Sequence, residues 1–255
     1  MELQDRTFLI TGGGSGLGAG CARHFVAQGA SVVVADMNAA AGTALAAELG
    51  ERAAFAPCDV TSSQDVEQAL ALATGQFGRF DGVIQCAGIL AAARVLGRRG
   101  PHDLELFARV VQVNLIGTFN VLRLAAAVLA QNEPGPDGER GVIVNTASIA
   151  AFEGQIGQTA YAASKAGVAA LTLPAARELG RSGIRVICIA PGVFETPMMA
   201  QAPDELRSSL TRQIPFPARF GEPSEFAALA EHVVRNRMLN GCVIRLDGAV
   251  RMGAQ

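Results

Sequence analysis

Short apolar runs alternate with longer amphipathic stretches along the chain. The short runs consist mainly of Val, Ile and Ala with few polar interruptions, which is typical of strands buried on both faces. We predict strands at residues 7–10, 31–35, 53–56, 82–85, 141–145, 184–189 and 243–246. The longer stretches have helical periodicity. We predict helices over residues 38–49, 104–130, 159–179 and 224–235. A further helix follows the first strand and ends at Ala27, another begins near Thr61 or Ser62, and a short one begins at Asp204.

The order of these elements predicts the fold class. Strand and helix follow each other throughout, and buried strands without polar alternation are characteristic of parallel sheets covered by helices on both faces. No linker, internal repeat or low-complexity segment divides the sequence, so we expect a single domain over residues 1–255. The prediction is an α/β protein with one doubly wound parallel sheet, whose ligands bind at the carboxyl ends of the strands.

The composition is consistent with one such domain and limits its partners. Of the 255 residues, 50% are hydrophobic and 17% are charged, which is enough for a sizeable core. The net charge of −2 gives no general attraction to nucleic acid or to an anionic membrane. No uninterrupted apolar run reaches the ~18 residues of a membrane-spanning helix. We therefore expect neither a nucleic-acid partner nor a membrane partner.

The cysteines and histidines give no indication of a metal centre. The five cysteines are odd in number and widely spaced, without the close pairs that ligate metals. This pattern favours a reducing compartment, where thiols stay free. His24, His102 and His232 are scattered, so we expect neither a metal site nor a Ser-His-Asp triad. The first residues lack signal-peptide or transit-peptide character, and we expect a cytoplasmic protein.

The strongest chemical signal is the pair Tyr161 and Lys165, the only tyrosine and the only lysine in the chain. Residues i and i+4 lie on the same face of a helix, so the phenol and the ammonium should lie on one side. A free tyrosine, with a pKa near ~10, is a poor base at neutral pH, but a fixed cation nearby favours the phenolate. Lysine suits this role because its compact ammonium can also reach ribose hydroxyls. A chance pair on an amphipathic helix is the alternative.

A glycine-rich turn joins the first strand to the first helix. Its spacing is T-G-x-x-x-G-x-G, with Thr11, Gly12, Gly16 and Gly18 at the named positions. Glycine leaves no Cβ where a backbone approaches a pyrophosphate, and the N-terminus of the following helix attracts the anion. The turn therefore predicts dinucleotide binding, with a glycine-rich connection that holds no ligand as the alternative.

Asp36 ends the second strand and indicates which dinucleotide is bound. A carboxylate at this place accepts hydrogen bonds from the adenosine ribose and repels a 2′-phosphate. The next residues, Met37 and Asn38, supply no cation to offset that repulsion. We therefore predict NAD rather than NADP. A cap on the next helix is the alternative for Asp36. Asp59, after the third strand, is equally compatible with an adenine contact and with a helix start.

Together with Cys86-Ala87-Gly88, Asn114, Ser148 and Pro191-Gly192, these motifs resemble the short-chain dehydrogenase/reductase family over essentially the whole chain. The resemblance implies a single doubly wound parallel-sheet Rossmann domain. One departure from the family pattern is Gln85-Cys86-Ala87-Gly88, where the family usually has Asn-Asn-Ala-Gly. Because the small residues Ala87 and Gly88 are retained, we expect this departure to change only the local hydrogen bonding.

The resemblance also implies which residues carry the reaction. Tyr161 is expected to act as general base in oxidation and general acid in reduction, with Lys165 lowering its pKa and holding the nicotinamide ribose. Ser148 is expected to hydrogen-bond the substrate oxygen, Asn114 to support the site through a water linked to Lys165, and Gln158 to contact the substrate. Taken alone, Ser148 could equally be a helix cap and Asn114 a buried structural amide. The implied cofactor contacts are Gly12, Ser15, Gly16, Leu17, Gly18, Asp36, Asp59, Val60, Cys86, Ala87, Gly88, Tyr161, Lys165, Pro191, Gly192, Phe194 and Thr196.

Residues 145–158, 213–219 and 240–252 resemble, more narrowly, family members that oxidise 3-hydroxyacyl-CoA thioesters and steroid alcohols with NAD. We therefore expect reversible, NAD-dependent oxidation of the 3-hydroxyl of short or branched 3-hydroxyacyl-CoA, with hydroxysteroids as secondary substrates. Two alternatives stay open. A 3-oxoacyl-carrier-protein reductase would use NADP, which Asp36 disfavours. A non-catalytic nucleotide-binding scaffold is disfavoured by the complete set of Ser148, Tyr161 and Lys165.

Residues 195–220 are expected to form a lid over the substrate, because they follow Pro191-Gly192 directly. The lid should line the site with apolar and adaptable side chains that suit an acyl chain or a steroid. These side chains are Phe194, Met198, Met199, Leu206, Ile214 and Phe216. The candidate cations for CoA phosphates are Arg98, Arg99, Arg207 and Arg212, although solvated surface arginines are the more common case. The chain stays apolar from Cys242 to Met252, which predicts burial against another subunit, and the family resemblance implies a homotetramer.

Overall fold

The structure, a computed structural model, describes residues 1–98, 100–200 and 203–254. Strands and helices alternate over this part of the chain in the predicted order. The strands are β1 (Thr7–Thr11), β2 (Ser31–Asp36), β3 (Ala53–Pro57), β4 (Gly82–Gln85), β5 (Leu96–Gly97), β6 (Gly100–Pro101), β7 (Gly141–Thr146), β8 (Ile184–Pro191) and β9 (Val243–Leu246). The helices are α1 (Gly16–Ala27), α2 (Ala39–Leu49), α3 (Ser63–Phe77), α4 (Leu104–Val111), α5 (Thr118–Leu129), α6 (Thr159–Leu179), α7 (Pro197–Ala200), α8 (Asp204–Arg212) and α9 (Pro223–Arg235).

Seven strands form one parallel sheet in the order β3-β2-β1-β4-β7-β8-β9. The chain runs outward from β1 in one direction and, after β4, in the other. Ligands of such sheets bind in the crevice at this reversal. The predicted fold class, a doubly wound parallel sheet, is confirmed. The short antiparallel pair of β5 and β6 was not predicted, because two residues per strand leave no periodic signal.

The two faces of the sheet are covered by different helices. Successive strand residues point to opposite faces. In β1, Phe8 and Ile10 are fully buried in a cluster with α1 and α9, whereas Leu9 is fully buried in a second cluster with α3 and α5. Burial on both faces removes the polar alternation of a half-exposed strand, which explains why the strands read as continuous apolar runs.

The predicted helix over residues 104–130 contains a π-helical turn. Helix α4 ends at Val111, the π-helical segment Gln112–Gly117 follows, and α5 begins at Thr118. Such turns are rare and frequently lie at functional sites. This one contains Asn114, which is fully buried. One wider turn hardly changes the spacing of apolar residues, so the sequence pattern predicted an uninterrupted helix.

The helical run Leu104–Leu129 is long and apolar enough to cross a membrane, by length and composition only, and its most apolar 18 residues have a mean hydropathy of 1.4. Half of this 18-residue stretch is buried inside the protein. Its buried side packs against α3 and the sheet, as the second core cluster shows. A core helix of a soluble fold passes the same test, so this finding is weak evidence for a membrane span.

Candidate functional site

A cavity of about 650 Å³ opens at the carboxyl ends of the strands. Every cofactor contact that the sequence predicted lines this cavity, and so do Ser148 and Gln158. Among the described residues, Asn114 is the one predicted site residue that lies behind the cavity wall. No group of three or more His, Cys, Asp or Glu side chains in the described part of the chain could hold a metal ion.

The glycine turn packs tightly against neighbouring backbone and leaves helix donors free. Gly12 has a φ of +62°, and a Cβ there would lie 2.7 Å from the backbone nitrogen of Ala87. A Cβ on Gly18 would lie 2.2 Å from the carbonyl oxygen of Gly12. Ser15 precedes α1 without a side-chain capping bond, which leaves N–H groups of the first helical turn for another acceptor. A pyrophosphate fits this arrangement of free donors, positive dipole and close backbone.

Asp36 is fixed by backbone donors on both carboxylate oxygens. The N–H of Gly14 donates to Oδ2 at 2.9 Å, and the N–H of Asn38 donates to Oδ1 at 2.9 Å. Helix α2 is capped by Asn38, whose side chain accepts from the N–H of Ala41, so Asp36 is not the cap. The carboxylate therefore contributes a fixed negative charge to the cavity wall.

Asp59 lines the cavity, and its predicted adenine contact stays a prediction. Its Oδ1 accepts hydrogen bonds from the N–H and hydroxyl of Thr61, at 2.9 and 2.8 Å, which order the turn before α3. The cap of α3 is Ser62, which accepts from the N–H of Asp65. Asp59 therefore belongs to the cavity wall and to the turn before α3, without being the helix cap.

Helix α6 presents Tyr161 and Lys165 to the cavity from one face, as predicted. The ammonium of Lys165 lies 5.9 Å from the centre of the Tyr161 ring. It donates a hydrogen bond of 2.7 Å to the carbonyl oxygen of Thr146, at the end of β7. Ser148 follows two residues later, and its hydroxyl oxygen accepts from the N–H of Ala150 at 3.2 Å. The end of β7 and the start of α6 thus hold the three groups in one place.

Burial is the largest influence on the pKa values of Tyr161 and Lys165. It raises the pKa of the Tyr161 phenol above its ordinary value, while the Ser148 hydroxyl lowers that pKa by a smaller amount. It also lowers the pKa of Lys165 from 10.5 to about 8. Desolvation disfavours the charged form of both groups, and the ammonium bonds Thr146. The lowering of the phenol pKa by Lys165, which the family resemblance implies, stays a prediction.

Asn114 acts as a clamp behind the cavity. Its Oδ1 accepts from the N–H of Ile89 at 2.8 Å, and its Nδ2 donates to the carbonyl oxygen of Ile89 at 2.9 Å and to Ser164 Oγ at 3.1 Å. A Cβ on Gly88 would lie 3.2 Å from Asn114 Oδ1 and 3.5 Å from Lys165 Nζ. Asn114 therefore joins the loop after β4 to α6. The expected water link to Lys165 stays a prediction.

Gln85, where the sequence departs from the family pattern, lies beneath the cavity wall. Its side-chain amide donates to Asn145 Oδ1 at 2.9 Å, across the neighbouring ends of β4 and β7. Both side chains are buried. Asn145 Nδ2 has no hydrogen-bond partner among the described residues. Cys86, Ala87 and Gly88, which follow Gln85, lie on the cavity wall.

The predicted lid supplies only part of its predicted lining. Phe194, Met199 and Leu206 line the cavity. Ile214 does not, because it is buried beneath the lid in a small cluster with Leu210, Phe220 and Val250. Phe216 is 83% exposed and also lies away from the cavity. The side chain of Met198 lies outside what the structure describes.

The four candidate arginines have different surroundings. Arg207 is engaged within the lid, with an ion pair of 2.6 Å to Glu195, a bond of 3.0 Å to the carbonyl oxygen of Met199, and its guanidinium over the Phe220 ring. It is therefore unsuited to bind a phosphate. Arg98 and Arg212 are exposed, and Arg99 lies outside the described residues.

Several cavity residues were not predicted from the sequence. Met37 and Cys58 border the cofactor side, and Leu90, Ala92, Gln155, Leu210 and Met252 border the substrate side. Met252 is the most unexpected, because the apolar end of the chain predicted burial against another subunit. Val250 is fully buried and Met252 packs beside it within the same subunit. The narrow resemblance of residues 240–252 was the only sequence signal that connected this segment to the site.

Known proteins resemble this chain over almost its whole length. Residues 6–207 match the family model described as short chain dehydrogenase. The chain is 54% identical over 246 residues to 3-hydroxyacyl-CoA dehydrogenase type-2 of Bos taurus, covering 96% of this chain and 94% of that protein. The narrower resemblance that the sequence suggested is confirmed.

Two solved structures share the fold. The crystal structure of 3-hydroxyacyl-CoA dehydrogenase type-2 from Mycobacterium avium has a TM-score of 0.94 and 46% identity, over 98% of this chain and 97% of that chain. A 7α-hydroxysteroid dehydrogenase complexed with NADH and 7-oxo glycochenodeoxycholic acid has a TM-score of 0.90 and 28% identity, over 100% of this chain and 97% of that chain.

Proposed function

The chain belongs to the short-chain dehydrogenase family, and on that premise we propose that it is an NAD-dependent enzyme that reversibly oxidises the 3-hydroxyl of short or branched 3-hydroxyacyl-CoA thioesters. Hydroxysteroids are proposed as further substrates. The observation that carries the proposal is that Ser148, Tyr161 and Lys165 line one cavity with the glycine turn and Asp36. Residues 1–255 then form one catalytic domain, with residues 195–220 as the lid.

The three catalytic side chains divide the work of acid–base chemistry. In oxidation Tyr161 accepts the proton of the substrate hydroxyl, and in reduction it returns that proton. Ser148 is held by the N–H of Ala150, so its own O–H is available to donate to the substrate oxygen as charge develops there. Lys165 uses one N–H on Thr146 and retains two further donors for ribose hydroxyls.

The cofactor side of the cavity fits NAD. When bound, NAD⁺ supplies the acceptor for the hydride that leaves the carbinol carbon, together with a positive charge that favours the phenolate. The free donors at the start of α1 suit the pyrophosphate. Asp36 accepts hydrogen bonds from ribose hydroxyls, and its fixed charge repels the 2′-phosphate of NADP. This preference argues against an NADP-dependent carrier-protein reductase.

The substrate side of the cavity suits an acyl chain or a steroid skeleton. It is lined mainly by apolar side chains from the lid and the neighbouring loops, namely Ile149, Leu90, Met199, Leu206, Leu210 and Met252. Gln155 and Gln158 are the polar exceptions, and they hydrogen-bond each other, with the Gln155 N–H donating to Gln158 Oε1 at 3.1 Å. For the CoA phosphates, the exposed Arg212 and Arg98 remain the proposed cations, and Arg207 does not.

The test is the rate of NADH formation with three substrates: 3-hydroxybutyryl-CoA, its free acid and a hydroxysteroid. We expect the thioester to have the highest kcat/KM, and NADP to replace NAD poorly. If the free acid is used as well as the thioester, the CoA part contributes nothing and the assignment is wrong. Equal use of both cofactors would favour the carrier-protein reductase, and no turnover with any alcohol would favour a nucleotide-binding scaffold.

We further propose that the chain assembles as a homotetramer. Two separate surfaces support this. Strand β9 is one edge of the sheet, and its three apolar residues, Val243, Ile244 and Leu246, are only half-buried within the subunit. Large hydrophobic side chains are exposed on the π-helical segment and on α5 and α6, namely Ile116, Phe119 and Leu173. Two different self-complementary interfaces are what a closed tetramer requires. Light scattering that reports a monomer at micromolar concentration would contradict the proposal.

We propose a cytoplasmic location, on the basis of thiol chemistry. All five cysteines lie in the described part of the chain and are free thiols. Cys21, Cys58 and Cys188 are buried, and burial raises the pKa of the Cys58 thiol to about 12. Such thiols are stable in a reducing compartment. Fractionation of cells that express the tagged chain tests this, and recovery in an organelle fraction would contradict it.

A further inference from the structure

The C-terminal tail, residues 250–254, is part of the active-site wall. Met252 lines the cavity near Ile149, which follows the catalytic Ser148, and near Leu210 of α8. Val250 is fully buried in the same cluster. An apolar side chain from the end of the chain therefore closes a space between two other segments.

One backbone–backbone hydrogen bond and one backbone–side-chain hydrogen bond connect the tail to its two neighbouring segments. The N–H of Ile156 donates to the carbonyl oxygen of Ala254 at 2.9 Å. Ile156 lies in the segment between Ser148 and Tyr161, so the tail is tied to the loop that joins the catalytic residues. On the other side, the N–H of Gly253 donates to Gln213 Oε1 at 3.1 Å, immediately after α8. The tail bridges the catalytic loop and the lid.

A balanced ion cluster anchors the base of the tail. Glu153 pairs with Arg245 at 2.7 Å and with Arg251 at 3.3 Å. Asp247 pairs with the same two arginines at 2.7 and 3.3 Å. Arg245, the N–H of Met252 and Arg251 all lower the pKa of Glu153, with Arg245 the largest cause. Two carboxylates and two guanidinium groups thus neutralise each other next to Met252 and fix the position of its backbone.

We propose that Met252 is a specificity-determining residue that limits the length of the acyl chain, with Gln213 as a positioning residue for the tail. This inference rests on the proposed oxidation of a secondary alcohol in the cavity. A substrate whose hydroxyl lies at Ser148 and Tyr161 extends its carbon chain between the catalytic loop and the lid, because those two surfaces supply the apolar lining. The thioether of Met252 occupies the junction between them. Each additional methylene has to be accommodated against this side chain.

The test changes the size of the side chain in both directions. Met252→Ala should raise kcat/KM on eight-carbon substrates relative to four-carbon substrates by about tenfold, the discrimination that one or two methylenes give in an apolar pocket. Met252→Phe should lower the same ratio. Two substrate series are compared, 3-hydroxyacyl-CoA thioesters and simple 2-alkanols of matching length. If only the alkanols are oxidised, the proposed CoA specificity is wrong, but the chain-length effect of Met252 is still measured.

The matched control is Met238→Ala, since Met238 is 92% exposed and remote from the cavity. It should leave the ratio unchanged. Gln213→Ala removes the bond to Gly253 and should shift the ratio in the same direction as Met252→Ala, through KM rather than kcat. Melting temperatures identify a variant that fails to fold, and opposite shifts in the alanine and phenylalanine variants exclude general destabilisation as the cause. An unchanged ratio in both Met252 variants overturns the proposal.

Discussion

Lys165 shows how a single residue combines a chemical role with a structural cost. It is 4% exposed, and its ammonium has one hydrogen bond to protein, to Thr146. Burial disfavours its charged form and lowers its pKa to about 8. Ser148 and Tyr161 are positioned around this amine by the end of β7 and the start of α6. The buried charge of Lys165 therefore lowers the free energy of unfolding, and this cost should depend on pH.

We predict that Lys165 makes the cofactor-free protein more stable as the pH rises above about 8. The unfolded chain binds a proton up to the ordinary lysine pKa near 10.5, whereas the folded protein releases it at about 8. Between these values the unfolded state binds more protons, so the free energy of unfolding rises by roughly 1 kcal/mol per pH unit. Urea denaturation from pH 7 to pH 9 measures this rise.

The control for that experiment is Lys165→Met, which should lack the rise. Cys58 and Cys188 have pKa values raised to about 12 and about 11, so they act in the opposite direction above pH 9. Because Lys165 itself lowers the pKa of Cys188, the two proteins are compared only between pH 7 and pH 9, below that range. The comparison of the two proteins therefore isolates Lys165. Parallel stability curves in parent and variant would show that the lysine pKa is not lowered.

Removal of the phenol oxygen should separate catalysis from binding. Tyr161→Phe keeps the ring on α6 and its distance of 5.9 Å from the ammonium, but it removes the group that exchanges the proton. We expect turnover to fall by about 10²–10⁴-fold, the usual contribution of a general acid or base. NADH affinity, measured by fluorescence titration, should change by less than about threefold, because no donor to the pyrophosphate or the adenosine ribose is touched. A large loss of affinity would assign Tyr161 to cofactor binding instead.

At the scale of elements, the π-helical segment and the lid are the two parts that adapt a common sheet to this site. The π-helical turn brings Asn114 to the loop after β4 and to Ser164 of α6 at once. The lid is held by Arg207, which joins α8 to Glu195 and Met199. Asn114 and Arg207 themselves lie outside the cavity lining, and each holds a residue that belongs to it, Ile89 and Met199 respectively.

We predict that removal of the Asn114 side chain lowers activity more than removal of a similarly bonded asparagine far from the cavity. Asn114→Ala leaves the partly buried backbone groups of Ile89 without this partner, which should cost about 1–3 kcal/mol in the free energy of unfolding. It should also lower kcat/KM by about tenfold or more, because the loop after β4 loses its link to Ser164 on α6, the helix that carries Tyr161 and Lys165. The matched control is Asn132→Ala, which likewise removes two bonds between the side chain and the backbone, here to the carbonyl oxygens of Phe80 and Arg140, far from the cavity. Equal loss of activity in both variants would contradict a positioning role.

The lid predicts an effect on KM. Arg207→Ala removes the ion pair to Glu195 and the bond to Met199, so α8 should be less firmly held over the substrate. We expect KM for a hydroxysteroid to rise about tenfold, with a smaller change in kcat. Arg212→Ala, on the same helix but exposed, is the control. A hydroxysteroid is used because it carries no CoA phosphate, so a contact of Arg212 with phosphate cannot affect the result. Similar KM values in the two variants would argue against a role of Arg207 in holding α8 over the substrate.

At the scale of the whole molecule, the cavity joins parts of the chain that are far apart in sequence. Its wall takes residues from the glycine turn, from the loops after β2, β3, β4, β7 and β8, from α6 and from the tail. A ligand that contacts all of these segments stabilises only the complete fold. Binding and global stability are therefore coupled more closely than in a protein whose site lies on one loop.

We predict that NAD raises the stability of the whole domain and that NADP does not. At 100 times its dissociation constant, a ligand that binds only the folded state adds about 2.7 kcal/mol. NADP at the same concentration should give a much smaller shift in melting temperature, because Asp36 repels the 2′-phosphate. Asp36→Ala should bring the two shifts closer together. Equal shifts in the unmutated protein would show that Asp36 does not select the cofactor.

The sequence predicted those features that depend on local patterns. Buried strands and helix positions follow from the order of apolar and polar residues, and the glycine turn follows from its spacing, so the sheet and the turn were predicted from the chain itself. Most of the other cavity residues that were predicted were implied by the family resemblance. The spacing of Tyr161 and Lys165 on one helical face required only the helix itself. These predictions succeeded because each depends on residues that are neighbours in the chain or on a single regular element.

Tertiary structure alone decided the rest. The pKa of Lys165 depends on how much water its neighbours exclude, which no spacing reveals. The π-helical turn at Asn114 depends on contacts with the loop after β4. Ile214 and Met252 are both apolar and both distant from Ser148 in sequence, yet only Met252 lines the cavity, while Ile214 is buried beneath the lid. Which apolar residues pack in a core and which face a ligand is set by the mutual positions of remote segments, and that information lies in the folded chain.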